Sequence, residues 1–255
     1  MKKFFNQIAK SLIFHKYRAL SDKINLQNVS SCSDLFFYRN DNFSTTYIQE
    51  NTKSLYSSNT SSFSITIVFF NKDGKELFRV KHKLYSFDFT INFNMYSKKL
   101  DKYGSFLIFT SEKLNFIPHF RGYVGYKRKF DEQYSFVHGN FGALYVNEEG
   151  YFQSVLNFIK NKTFNYSPQL EFKQSQTYII SNPFLFDINV TFSLFANNNL
   201  NLIETKTIQP FATAFFVSQD KLLNGDVTAV FSSHIPALRP IIFDEYKSHF
   251  DVLHS

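Results

Sequence analysis

Two stretches of the chain alternate apolar and polar residues in the same phase. In Phe63-Ser64-Ile65-Thr66-Ile67-Val68-Phe69, residues Phe63, Ile65, Ile67 and Phe69 share one face. In Ile188-Asn189-Val190-Thr191-Phe192-Ser193-Leu194, residues Ile188, Val190, Phe192 and Leu194 do the same. A period of two predicts a strand with one buried face. The two runs lie 125 residues apart. Each leads into residues that tolerate positive φ, Asn71-Lys72-Asp73-Gly74 and Asn197-Asn198-Asn199, so each predicts a hairpin.

The correspondence extends in both directions. Thr46-Tyr47-Ile48-Gln49 matches Thr177-Tyr178-Ile179-Ile180 upstream. Downstream, Phe87, Phe89, Ile91 and Phe93 match Phe211, Thr213, Phe215 and Val217, and the strand led by Gly104 matches the one led by Gly225. Phe120-Arg121-Gly122 then matches Leu238-Arg239-Pro240, and Tyr134–His138 matches Phe250–His254. The blocks never change order, and their offset drifts only from 131 to 116, as small changes in loop length would produce.

The expected fold class is therefore all-β: two tandem antiparallel β-sandwich repeats, residues 43–140 and 170–255, each of about seven short strands. In architecture they are similar to immunoglobulin-like tandem sandwiches. Residues 141–169 read as a connector with its own hairpin around Asn147-Glu148-Glu149-Gly150, followed by one or two helical turns from Ser154 to Lys160. Residues 1–30 hold a basic amphipathic helix and a linker. Phe4, Phe5, Ile8, Ala9 and Leu12 form its apolar stripe, opposite Lys3, Asn6 and Lys10.

Composition supports strands. The chain has 34 Phe and 15 Tyr and no Trp, and flat aromatic side chains pack well on a pleated, half-buried surface. A single cysteine, Cys32, excludes an intramolecular disulfide. With no signal peptide or membrane-spanning run recognised, the default expectation is a cytoplasmic protein. The net charge is +7, but Lys2, Lys3, Lys10, Lys16, Arg18 and Lys23 face only Asp22 in the first 25 residues. The remaining 230 residues carry only +2, too little for a duplex-binding surface, so nucleic acid is not an expected partner. The basic helix is expected to pack on the first sandwich; its alternative is peripheral contact with an anionic membrane through residues 1–20.

Phosphate loops, dinucleotide turns, zinc motifs and nucleophile elbows are all missing, so no cofactor and no metal site are expected. One constellation repeats: Arg121 with His138, and Arg239 with His254. His138 shares strand parity with Tyr134 and Phe136, and His254 with Phe250 and Val252, so both imidazoles point toward an apolar face and need a partner. Across a pseudo-twofold axis the four side chains would meet in one cleft, where an Arg would favour neutral imidazole. The favoured role is structural, a histidine closing an edge strand on a carbonyl. Asn140, after Gly139, is a candidate ligand contact with its amide presented outward. Lys127-Arg128-Lys129 followed by Asp131 and Glu132 reads as a solvated hairpin tip. The expected function is a non-catalytic binding or scaffolding protein for a saccharide or a protein partner; the alternative is an enzyme with a His/Arg site between the repeats, with or without a metal.

Overall fold

The computed structural model describes residues 19–21, 29–49, 62–86, 88–110, 122–140, 142, 144–147, 149–154, 156–158, 163–168, 176–217, 227–235, 238–245 and 250–254. The N-terminal helix expected over Met1–Leu12 lies outside them. The first strands are β1 (Ala19–Ser21), β2 (Val29–Ser31), β3 (Phe36–Arg39), β4 (Phe43–Gln49), β5 (Phe63–Asn71), β6 (Glu76–Leu84) and β7 (Phe89–Asn92). A single 3-10 turn, Phe93–Tyr96, leads to β8 (Tyr103–Thr110), β9 (Tyr123–Arg128) and β10 (Ser135–Val137). Then come β11 (Leu144–Asn147), β12 (Phe152–Ser154), β13 (Leu156–Phe158) and β14 (Phe164–Tyr166). The chain ends with β15 (Gln176–Ser181), β16 (Ile188–Ala196), β17 (Asn199–Ile208), β18 (Thr213–Val217), β19 (Val227–Ser233), β20 (Ile241–Glu245) and β21 (Phe250–His254). Among the described residues there is no α-helix, and no helix is long and apolar enough to cross a membrane.

Four four-stranded antiparallel sheets form the body. Strands β3 to β10 make the sheets β3-β8-β5-β6 and β10-β9-β4-β7. Strands β14 to β21 make the sheets β14-β19-β16-β17 and β21-β20-β15-β18. Moving every strand of the first pair eleven places along the chain gives the second pair in the same order. The matched runs of the sequence are β5 and β16, both nine residues long, with Ile65, Ile67 and Phe69, and Val190, Phe192 and Leu194, fully inside. Their hairpins follow the turn chemistry. Asn71 accepts the amides of Asp73 and Lys75 on Oδ1, and Asn197 and Asn198 both take positive φ, as the right-handed twist of a tight hairpin requires.

The structure departs from the sequence reading at four places. β3 and β14 are edge strands of the sandwich sheets, although both lie outside the spans 43–140 and 170–255. Leu156–Phe158 is not helical but pairs with β1. The connector hairpin β11–β12 does form, and it joins β2 in a small three-stranded sheet. In β18, Phe216 pairs with Tyr178 as Ile91 pairs with Tyr47. The true correspondence is therefore Ile91 with Phe216, one residue from the match with Phe215, and a slip of one residue exchanges the two faces of a strand.

The halves join because one sheet of the second half sends side chains into both cores. In β15, Tyr178 and Ile180 enter the core of the second half, while Ile179 points the other way, into the core of the first. Ile242 and Ile241 divide in the same manner, as do Phe216 and Phe215. The ring of Phe243 lies 6.0 Å from Phe37, 5.9 Å from Phe43 and 5.0 Å from Tyr126. One apolar core thus runs from the first half into the second. On the outer face of β5 and β8, Val68, Phe70, Leu107 and Phe109 are covered by Leu144 and Val146 of the small sheet and by Phe211. Phe211 stacks on Phe70 at 4.4 Å with φ of 62°, a conformation that a bulky residue adopts only when its surroundings hold it there. The β5–β6 turn fits this junction closely. Gly74 has φ of 81°, and a Cβ there would sit 2.0 Å from the Pro210 carbonyl oxygen.

A core shared across the halves predicts one cooperative unfolding transition in urea, not two. Phe243→Ala should lower stability by about 3–5 kcal/mol and keep a single transition. Two separate transitions in the native chain, seen by fluorescence and circular dichroism, would contradict the shared core.

Candidate functional site

Charge enters the seam at Arg39, the last residue of β3. Its guanidinium lies 3.8 Å from the ring centre of Phe43 and 4.9 Å from that of Phe243. It is paired with Asp41 at 2.8 Å and with Glu245 of the other half at 2.5 Å, and its side chain is only 10% exposed. Tyr103 donates its hydroxyl to Asp41 at 2.8 Å. Burial alone would push the Asp41 carboxyl up, but the hydrogen bond and charge of Arg39, the Tyr103 hydroxyl and the Phe43 amide more than offset it and hold the group below the ordinary carboxylate range. The buried cation is therefore paired on both sides and covered by aromatic faces, as a desolvated charge must be.

Beside this lock the edge strands β10 and β21 meet. The Ser135 hydroxyl donates to Asp251 Oδ1 at 2.7 Å and accepts the Val252 amide at 3.0 Å. The β9–β10 hairpin stands over this junction, and a cavity of about 520 Å³ opens between it and β21. Its walls carry Asp131, Glu132, Gln133, Tyr134, Phe250 and Asp251. The Lys127 ammonium is 5.2 Å from the Tyr134 ring centre, and the Arg128 guanidinium is 5.4 Å from that of Phe250. Phe250 is anchored from behind by Phe43 at 5.0 Å. The groove therefore combines carboxylate, amide and hydroxyl oxygens with ring surfaces, at the boundary of the two halves. Phe250 and Asp251 are fixed by strand pairing in β21, and Asp131, Glu132, Gln133 and Tyr134 stand on a short hairpin.

The residues singled out from the sequence do not gather in this groove. His138 follows β10, half-buried, with Nδ1 3.3 Å from the Gly122 carbonyl and its ring 4.2 Å from that of Tyr123. Arg239 is exposed just before β20. Arg121 lies outside the described residues. For His254 the structure gives only the backbone, paired with Ile241. Asn140 is not presented outward. It is buried, exchanges both backbone bonds with Leu35, and gives its side-chain amide to the Ser181 carbonyl at 3.3 Å, so it ties the halves together. Among the described residues no three His, Cys, Asp or Glu side chains are grouped to hold a metal ion. Cys32 is buried, and desolvation pushes its thiol well above the ordinary range despite the nearby charge of Arg79.

Sequence reasoning passed over both Arg39 and the groove. The groove's signal was present but ambiguous: Asp131 and Glu132 read as a solvated tip because the strand that faces them lies more than a hundred residues away. Compared with known proteins, the chain matches no family model, no curated protein and no solved structure.

The folded Asp41 carboxyl is held below its unfolded value of 3.8. Its contribution to stability is full above that value and is lost as the pH falls through the folded one. Asp41→Asn should therefore melt below the native chain at about pH 7, and the gap should narrow as the pH falls below 3.8. A gap that stays constant in thermal melts across this range would exclude the carboxylate's charge as its source.

Proposed function

We propose that the chain is an internally duplicated β-sandwich that binds its ligand without catalysis, and that the seam groove takes a saccharide. The duplication is supported by the coincidence of strand order and by the hydrophobic phase of β5 and β16. Within each half the second strand pairs with the fifth and the third with the sixth, as in the core of immunoglobulin-like sandwiches. The first strand lies beside the sixth instead of the second, which sets these sheets apart from that arrangement.

The observation that carries the ligand class is the lining of the 520 Å³ cavity. Its size suits one or two sugar rings. Carboxylates and an amide accept and donate to hydroxyl groups, while Tyr134 and Phe250 supply apolar surface for the C–H face of a pyranose. A protein partner is the second reading, favoured by Phe130 at the hairpin tip, which is 96% exposed. A lone, fully exposed Phe beside a polar groove has the form of an anchor for a partner's pocket.

A glycan array, followed by calorimetry on any hit, tests the proposal. Glu132→Gln and Tyr134→Ala should each weaken binding by about tenfold or more with the melting temperature unchanged. An array without hits, or a hit indifferent to both substitutions, overturns the saccharide reading. Capture of a partner protein that Phe130→Ala abolishes would then establish the second.

A further inference from the structure

β17 is the edge strand of the sheet β14-β19-β16-β17, ten residues long, and pairs only with β16 among the described strands. Such an edge is a template for another strand unless charge, proline or a bulge protects it. β6 holds the same place in the first half and is protected. Its exposed positions are Glu76 at its start and then Arg79, Lys81 and Lys83, which would lie cation against cation in antiparallel self-pairing. β17 has no row of cations, and its bulge, at Asn201, lies near its start and leaves Leu202–Ile208 regular. The corresponding face shows Asn201, Ile203, Thr205 and Thr207, all exposed, with Ile203 at 61%.

We infer that β17 pairs antiparallel with β17 of a second copy of this chain, joining the two sheets into one of eight strands. A twofold axis normal to the sheet keeps each residue on its own face, so the numbers of opposed residues must have an even sum. The three registers near the strand centre differ in charge. A sum of 408 opposes Glu204 to itself, and a sum of 412 opposes Lys206 to itself. A sum of 410 opposes Glu204 to Lys206 twice, with Thr205 on the axis and Ile203 against the Thr207 methyl. Glu204 Oε1 and Lys206 Nζ already lie 3.0 Å apart in one copy, half-exposed on the same face. Pairing at 410 completes a square of alternating charge and covers Ile203. The inference does not rest on the saccharide reading, because β17 and β21 belong to different sheets.

Sedimentation equilibrium of the full chain up to about 0.1 mM tests it. The native protein should dimerise. Glu204→Lys and Lys206→Glu should each be monomeric alone and dimerise when mixed, since only the mixture restores opposed charges in both pairs. Thr205→Lys, on the exposed face, should also be monomeric and should keep the native circular dichroism spectrum. A monomeric native chain, a dimer that survives Glu204→Lys or Thr205→Lys, or two folded monomeric charge variants that fail to associate would each overturn it. If Lys206→Glu does not fold, because Lys206 also reaches the Phe215 carbonyl, Thr205→Lys and Glu204→Lys decide the question.

Discussion

Ile179, Phe215, Ile241 and Phe243 point away from the core of their own sandwich, so the sheet β21-β20-β15-β18 is apolar on both faces and must be covered twice. One cover is its own partner sheet. The other is the first half, whose lateral opening beside β3 exposes Phe37, Phe43 and Tyr126 to receive it. The remaining features of the junction follow from that requirement. Gly74 lets the β5–β6 turn touch the backbone at Pro210, Phe211 is held in an unfavourable backbone conformation to fill the outer face of β5, and Asn140 and Ser181 satisfy each other across the boundary. Each is a local cost that makes sense only once the two-faced sheet is committed to this neighbour.

Arg39 shows how the same junction tolerates charge. A guanidinium among the three rings of Phe43, Tyr103 and Phe243 loses much of its hydration, and pairing restores part of that loss only where the geometry is good. Here one carboxylate comes from Asp41, two residues along the same half, and the other from Glu245 of the second half. The local pair can form before the halves meet, and the distant pair only after. The cation therefore contributes to the specificity of the docking, since a shifted junction would bury it beside one carboxylate instead of two.

Strands whose residues alternate between apolar and polar were the legible part of the sequence, even where, as in β5, both faces are covered. β5 and β16 announce themselves by a clean period of two, and β9, β10, β20 and β21 keep constant offsets from one another. β18 did not, because Ala214 and Phe216 face one core while Phe215 faces the other, and after Thr213 the strand has no polar residue to mark its phase. The short strands β3 and β14 were missed for a different reason. Four residues, Phe36-Phe37-Tyr38-Arg39, and three, Phe164-Asn165-Tyr166, give too little pattern to register. His138 and His254 keep the offset that strand pairing gives β10 and β21, in which Val137 and Leu253 hold the same place. Equivalence in a repeat says nothing about convergence in space, and His138 spends its imidazole on the Gly122 carbonyl.

The halves share a plan but not a surface, and the difference can be read position by position. Val68 and Phe109 on the outer face of the first half are buried under the β2-β11-β12 sheet, and the residues that take their places in β16 and β19 are Ser193 and Ser232. Around them Thr191 bonds Thr205, Thr207 donates to Asn189, and Ser232 donates to Asn165, so the second half turns a hydroxyl and amide ladder outward where the first turns an apolar sheet inward. A cross-strand ladder of this kind satisfies its own polar groups without a cover. Ser193 and Ser232 thus leave this face without the apolar surface that the β2-β11-β12 sheet covers in the first half.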